Sequence, residues 1–351
     1  MRYRCEDMIC FAVSVGVALG MNDKDADTFG RSLVYADMRG QGSHGLMRLP
    51  TYVKRVKTGL IQADAAPKVV RDGGALLAVD GQNGMGVCTA QAVMELCTKR
   101  AAKTGACIAA VCNSNHFGYA AYFTKYAAHH HMIGFAMGNA YRSMAPYGGA
   151  VPMLGTNPLA VAIPAKGREP YSLDMATSVV AQGKIILAEK EGHDIPLGWG
   201  LDKNGHPTTD PSSVLRGGSL TPFGGAKGYG IALMIETLCV CLAKGAKSTE
   251  MGSMYDFSRT QNTGFLLGAI DISCVMAPEL FEDSAARLFD EFKATPTDGV
   301  ARGVLIPGEL EDRKFQAAEE HGIELPEAVE CELRELAVTM DVIFPSAYDD
   351  K

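Results

Sequence analysis

From about Ala75 onward the chain alternates short apolar runs with longer stretches of helical period, and this alternation constrains the fold more than any other feature. The runs Ala75 to Val79, Ala106 to Val111, Met132 to Met137, Leu159 to Ile163 and Gly264 to Ile270 have the length and apolar character of buried strands. Segments such as Thr89 to Lys103 lie between them and repeat their apolar residues at helical spacing. The pattern predicts an α/β (α+β) fold around a mixed sheet. Both ends of the chain read differently. Ile9, Ala12, Val13 and Val17, then Ala26, Phe29, Leu33, Val34 and Met38, keep a 3.6-residue period, with no strand evident in the first sixty residues. Glu309 to His321 and Pro326 to Ala337 return to charged helix. The expectation is a helical domain formed by 1–70 and 309–351, packed around an α/β body at 71–308 that carries a smaller inserted subdomain. The Gly- and Pro-rich stretches 192–218 and 295–308 read as long surface loops, where function often resides.

Composition narrows what such a body does. A formal charge of -7, with no block of Lys or Arg, argues against a nucleic-acid partner. The 10 cysteines are scattered without a C-x-x-C pair and read as reduced thiols of a cytoplasmic protein. Met8 to Gly20 has the length of a signal-peptide core behind Arg2 and Arg4, but Glu6 and Asp7 stand directly before it and a first helix explains it. No apolar stretch approaches the roughly 18 residues of a membrane span, so no membrane association is expected.

Gly40-Gln41-Gly42-Ser43-His44-Gly45 spells the dinucleotide fingerprint G-x-G-x-x-G. That motif needs a strand before it, and here Asp25 to Arg39 is helical, so a Rossmann reading is not supported. Its side chains are more informative. If a second helix runs from His44, then His44, Arg48 and Tyr52 share one face and place a proton-transfer group, a carboxylate fork and a phenol on one wall. Pro50 would kink that helix, and a solvated face is the competing reading. His116, in Asn115-His116-Phe117-Gly118, follows a strand and is placed for general acid/base chemistry or, alternatively, for a structural hydrogen bond. His129, His130 and His131 lack a Cys or carboxylate partner at ligand spacing and read as a helix terminus, so no metal is expected. Gly224-Gly225-Ala226-Lys227-Gly228 opens an apolar helix and suits either an anion or a plain glycine turn. Asp174-Met175-Ala176-Thr177-Ser178 passes from a strand toward a helix with small side chains that would admit a flat ring or a ribose.

Taken in order, Ser43-His44-Gly45 with Arg48 and Tyr52, Asn115 to Gly118, Gly155-Thr156-Asn157-Pro158-Leu159, Asp174 to Thr177 and Lys227-Gly228-Tyr229-Gly230 resemble the second, non-Rossmann malate/lactate dehydrogenase family over nearly the whole chain. The resemblance implies an oxidoreductase using NAD, with NADP as the alternative, on its own α/β cofactor fold. It also implies a homodimer with the active site near the subunit interface. The expected reaction is hydride transfer between the nicotinamide and C2 of a small 2-hydroxy or 2-oxo acid of the malate, lactate, ureidoglycolate or sulfolactate type. Position by position, His116 and His44 match the family's active-site histidines, Arg48 and Tyr52 its substrate-carboxylate contacts, and Arg259 a second substrate-side arginine. Asp174, Met175, Ala176, Lys227, Gly308 and Glu309 match cofactor-contacting stretches. Ala140 departs from the usual Ser/Thr-containing segment, so no cofactor hydrogen bond is assigned to it. Ser253-Met254-Tyr255-Asp256 with its spacing to Arg259 is closest to ureidoglycolate dehydrogenase. The alternatives are reduction of a cyclic imino acid or a diketo sugar acid on the same scaffold and, more remotely, a non-catalytic ligand-binding protein.

Overall fold

The computed structural model describes residues 1–299 and 303–348. Strand β1 (Arg2–Tyr3) leads into helices α1 (Cys5–Ala18) and α2 (Asp23–Met38), two 3-10 turns (Gly42–His44 and Leu46–Arg48) and α3 (Leu49–Lys57). The sheet region follows as β2 (Lys68–Asp72), β3 (Leu76–Asp80), α4 (Gly86–Thr104), β4 (Ala106–Ser114), α5 (Ala120–Ala128), β5 (Met132–Gly138), β6 (Leu159–Ile163) and β7 (Tyr171–Met175). A small lobe holds α6 (Gln182–Glu191), β8 (Gly200–Leu201), β9 (Pro207–Thr208), α7 (Pro211–Leu215) and β10 (Ser219–Leu220). The chain returns through α8 (Ala226–Thr237), a π-helical turn (Leu238–Leu242), β11 (Thr263–Asp271), α9 (Pro278–Lys293), α10 (Glu309–His321), β12 (Ile323–Glu324) and α11 (Glu327–Met340).

The main sheet has seven strands in the order β2-β3-β4-β11-β5-β6-β7. It is mixed, because β3 and β4 are parallel across the α4 crossover while every other neighbouring pair is antiparallel. β11 lies at the centre, with Phe265 opposite Val111 on one side and Gly138 on the other. Its near-continuous apolar run suits a strand covered on both faces. On one face a single buried cluster joins Phe11 and Phe29 of the first helices, Phe123, Phe265 and Leu333 of α11. The other face carries Ala110 and Leu266 against Ile235 and Cys239 of α8 and its π-helical turn.

Three local expectations are corrected. The first sixty residues do contain a strand, β1, which pairs with β12 at the far end of the chain and therefore leaves no local pattern. The 192–218 stretch is not all loop: it holds α7 and the strands β8 and β9, which form a three-stranded sheet with β10 just beyond it, in two-residue strands too short to show alternation. No helix runs from His44. Two 3-10 turns carry the chain to Leu49, and Pro50 sits in the first turn of α3, where its missing N–H costs nothing.

Phe265 is fully buried against the Phe117 ring, at a 5.0 Å centroid separation. Phe265→Ala is expected to lower unfolding free energy by about 3–5 kcal/mol in urea titrations. Leu197→Ala, at a side chain 70% exposed, should stay within about 0.5 kcal/mol. Equal losses at the two positions would contradict this placement of the core.

Candidate active site

The site is assembled where β4 runs out. Asn115, fully buried, donates through Nδ2 to Gly84 O (2.9 Å) and to Asn83 Oδ1 (3.1 Å), which pins the strand end to the turn before α4. At Gly86 a Cβ would fall on the carbonyl oxygens of Asn115 and His116, so the glycine lets that turn close. The His116 backbone N–H donates to Gln261 Oε1 (3.3 Å), and its ring Nδ1 meets the Tyr52 hydroxyl at 2.6 Å. Tyr52, expected at a substrate carboxylate, is only 1% exposed on α3, and its oxygen lies against this imidazole.

His44 reaches the same point from the loop after α2. Its ring stacks on that of His116, with centroids 5.6 Å apart and planes 22° apart, and its Nδ1 lies 2.9 Å from Ser43 Oγ. The loop is held from below by Asp37 in the last turn of α2, whose Oδ2 accepts from Leu46 N (2.8 Å). Gly45 lies directly over that carboxylate at an ordinary φ of -91°, yet a Cβ there would overlap both Asp37 oxygens. Here the carboxylate, and not backbone strain, requires glycine.

Arg48 closes the group. Its Nε donates to Ser43 O (2.6 Å), and its Nη1 to Met254 Sδ (3.3 Å) and to the Tyr255 hydroxyl. Nη2 has no hydrogen-bond partner among the described residues. Burial, then the Arg48 charge, pushes His44 down to about 4. Burial also drives His116 well below the ordinary imidazole value, with the His44 and Arg48 charges acting in the same direction. Burial pushes the Tyr52 phenol up, so it stays protonated. Both rings are therefore neutral at pH 7 and present lone pairs beside a permanent cation.

Arg259 stands on the outer side of the 251–261 loop, 55% exposed, with its Nε on Asp256 Oδ2 (2.9 Å). The buried arginine here is Arg55, whose guanidinium donates to the carbonyls of Asp256 (2.8 Å), Arg259 (3.1 Å) and Met254 (3.4 Å). Sequence reasoning passed over Arg55 because Lys54-Arg55-Val56-Lys57 reads as a solvated basic face. Asp37 and Gln261 carry no local signal, since what each touches lies beyond its own element.

The cofactor-matched stretches lie side by side. Ser172 N donates to Pro307 O (2.9 Å), which sets Gly308 and Glu309 against the strand that carries Asp174 and Met175. Phe223 N donates to Thr177 O (3.0 Å), which sets the start of α8 next to Ala176. Gly224 and Gly225 are left-handed (φ 56° and 62°), and Lys227 follows, exposed in the first helical turn. Asp174 turns back into the protein: its Oδ2 accepts from Ala121 N (2.7 Å) at the start of α5, and burial raises it to about 7. Gly308 is left-handed (φ 100°) and caps α10. Glu309 pairs with Lys293 through one oxygen, while its Oε2 is buried without a hydrogen-bond partner among the described residues. The unmatched buried acceptor of Glu309 suits ribose hydroxyls, and the glycine-rich start of α8 with Lys227 suits a pyrophosphate.

The three consecutive histidines have separate fates. His129 ends α5, His130 Nδ1 contacts Tyr126 O (2.8 Å) and His131 meets Glu282 (2.6 Å). Among the described residues no group of three or more His, Cys, Asp or Glu is arranged to hold a metal ion. No helix among them is long and apolar enough to cross a membrane.

Against known proteins, the family model described as malate/L-lactate dehydrogenase matches residues 4–334. A malate/(S)-sulfolactate dehydrogenase of Methanothermus fervidus is 37% identical over 93% of this chain and 94% of that protein. An NADP(+)-dependent (2R)-3-sulfolactate dehydrogenase of Chromohalobacter salexigens is 35% identical over 93% and 96%. The NAD(+)-dependent ureidoglycolate dehydrogenase of Escherichia coli K12 is 33% identical over 95% and 93%. Among solved structures, sulfolactate dehydrogenase from Methanocaldococcus jannaschii superposes with a TM-score of 0.91 at 35% identity, covering 97% of this chain and 98% of that one.

Burial lifts the Asp37 carboxyl from 3.8 to about 7. Between those values the folded protein holds a proton that the unfolded chain has lost, so this group's contribution to stability falls as pH rises through the window. In Asp37→Asn, which keeps an acceptor for Leu46 N, the Tm relative to wild type should climb from pH 4 to pH 7 and then level off. A pH-independent Tm difference would contradict the buried, singly bonded carboxylate.

Proposed function

The chain belongs to the malate/L-lactate dehydrogenase family, and from that premise we propose that it is an NAD(P)-dependent dehydrogenase of a small 2-hydroxy acid, with His116 and His44 as its proton-handling pair. The observation that carries the reading is the convergence of His44, His116, Tyr52 and Arg48, three segments of chain brought to one point. The nicotinamide, when bound, supplies or accepts the hydride at C2 of the substrate. Every other step belongs to the protein. Arg48 pairs with the substrate carboxylate through its guanidinium edge, a charge-assisted contact that orients C2. The Tyr52 hydroxyl lies 2.6 Å from His116 Nδ1; in the tautomer with its proton on Nδ1, that N–H donates to the phenol oxygen and Nε2 is left to accept from the substrate hydroxyl. In oxidation His116 Nε2 takes the hydroxyl proton, and in reduction it returns it. His44, stacked beside it, bonds the same oxygen or, in place of His116, serves as the acid in reduction. Burial keeps both rings unprotonated at neutral pH, free to accept a proton, and makes each a strong acid once charged.

Lys227 at the start of α8, together with Met175, Ala176, Gly308 and Glu309, would hold the dinucleotide. Asp174 would position that strand through α5. Arg259 would stand on the substrate side through the loop it shares with Tyr255. We also infer a homodimer in the cytoplasm: α8 and the turn after it expose Leu233, Met234 and Leu242, apolar side chains that a second copy would cover. The relatives that act on malate and sulfolactate favour a substrate with a second anionic group.

His116→Ala should depress kcat by at least about 100-fold, since positioned acid/base groups contribute about 10² to 10⁴. Arg48→Ala should act chiefly on kcat/KM for the acid and leave the cofactor KM in place. Both are read by following reduced nicotinamide absorbance with a panel of 2-oxo and 2-hydroxy acids. Parental turnover of 2-oxo acids by His116→Ala would remove His116 as the proton carrier.

A further inference from the structure

The loop that carries Tyr255 is built, although Tyr255, Ser258, Arg259 and Thr260 on it are exposed. Arg55 gathers three of its carbonyls, and Asp256 closes it internally by accepting from Ser258 N (3.0 Å) and Arg259 Nε (2.9 Å). Gln261 ties its far end to the His116 backbone (3.3 Å) and to Gly252 O (3.4 Å). The side chain this framework sends back to the site is Tyr255. It is 59% exposed, its hydroxyl accepts from Arg48 Nη1, and the guanidinium carbon stands 5.8 Å from its ring centroid. Exposure of that degree means packing does not account for its position; the contact with Arg48 does.

Resting on the reading of Arg48 as the partner of the substrate carboxylate, we propose that Tyr255 is a specificity-determining residue that selects 2-hydroxy acids bearing an anionic or oxygen-rich group at C3. A phenol oxygen that accepts from a guanidinium keeps its own proton to donate. A carboxylate on Arg48 is matched by the N–H groups of the fork, so an acid with a plain methyl at C3 makes no demand on Tyr255. An acid with a carboxylate or sulfonate one carbon further offers a second acceptor next to the same guanidinium, and the phenol proton meets it. One donor to a charged oxygen is worth about 1.5–3 kcal/mol, or roughly ten- to a hundredfold in kcat/KM.

Tyr255→Phe keeps the ring over Arg48 and removes only the hydroxyl. Steady-state kcat/KM is measured for wild type, Tyr255→Phe and Arg48→Ala with oxaloacetate, 3-sulfopyruvate and pyruvate. The proposal predicts that wild type prefers the two C3-charged acids. It also predicts that Tyr255→Phe loses about tenfold or more on them and less than about twofold on pyruvate, with the cofactor KM unmoved. Equal losses on all three acids, no loss on any, or a wild type that favours pyruvate would overturn it. Arg48→Ala separates the two claims. If it leaves every acid unaffected, the carboxylate reading itself fails; if it impairs all three while Tyr255→Phe alters none, only the role of Tyr255 falls.

Discussion

Two imidazoles stacked 5.6 Å apart, beside a guanidinium and withdrawn from water, cannot both become imidazolium ions at neutral pH. That constraint organises the site. Desolvation and the Arg48 charge act in the same direction on both rings, so each is held as a neutral base. The phenol of Tyr52, itself kept protonated by burial, offers His116 Nδ1 a partner that carries no charge. A carboxylate in place of Tyr52 would raise the ring's proton affinity and undo this poise. The Arg48 charge helps keep the histidines deprotonated, and the same guanidinium is the one proposed to pair with the substrate carboxylate.

The fold supplies this arrangement by ending three unrelated elements at one place. β4 delivers His116, a pair of 3-10 turns delivers His44 and Arg48, and the loop before β11 delivers Tyr255. Each is tied down by its own buried polar group, with Asn115 under the strand end, Asp37 under the glycine loop and Arg55 inside the 251–261 loop. Asp37 and the histidine pair place opposite demands on acid stability. The histidines, depressed below 6.5, weaken the fold as pH falls, while the raised Asp37 weakens it as pH rises toward 7.

Much of this was legible in the sequence because the relevant signals are local. Buried strands announce themselves as apolar runs, so β4, β5, β6 and β11 were readable, and with β4 came the placement of His116 at a strand end. The convergence of His44, Arg48 and Tyr52 was readable too, but for a reason that does not hold, since no continuous helix joins them. What periodicity cannot reveal is pairing between the ends of the chain, as in β1 with β12, or an arginine in a basic run that turns inward to meet carbonyls. Tyr52 shows the same limit: the sequence places a phenol on the right wall, and only the fold decides that its partner is an imidazole.

The claim that both imidazoles are held neutral is tested most directly by a nitrogen-resolved NMR titration of the histidine side chains, with His44 and His116 identified from the signals missing in His44→Gln and His116→Gln. Both rings are expected to remain neutral at pH 6, with His44 taking a proton only near pH 4. A His116 ring that titrates near its ordinary 6.5 would contradict the claim.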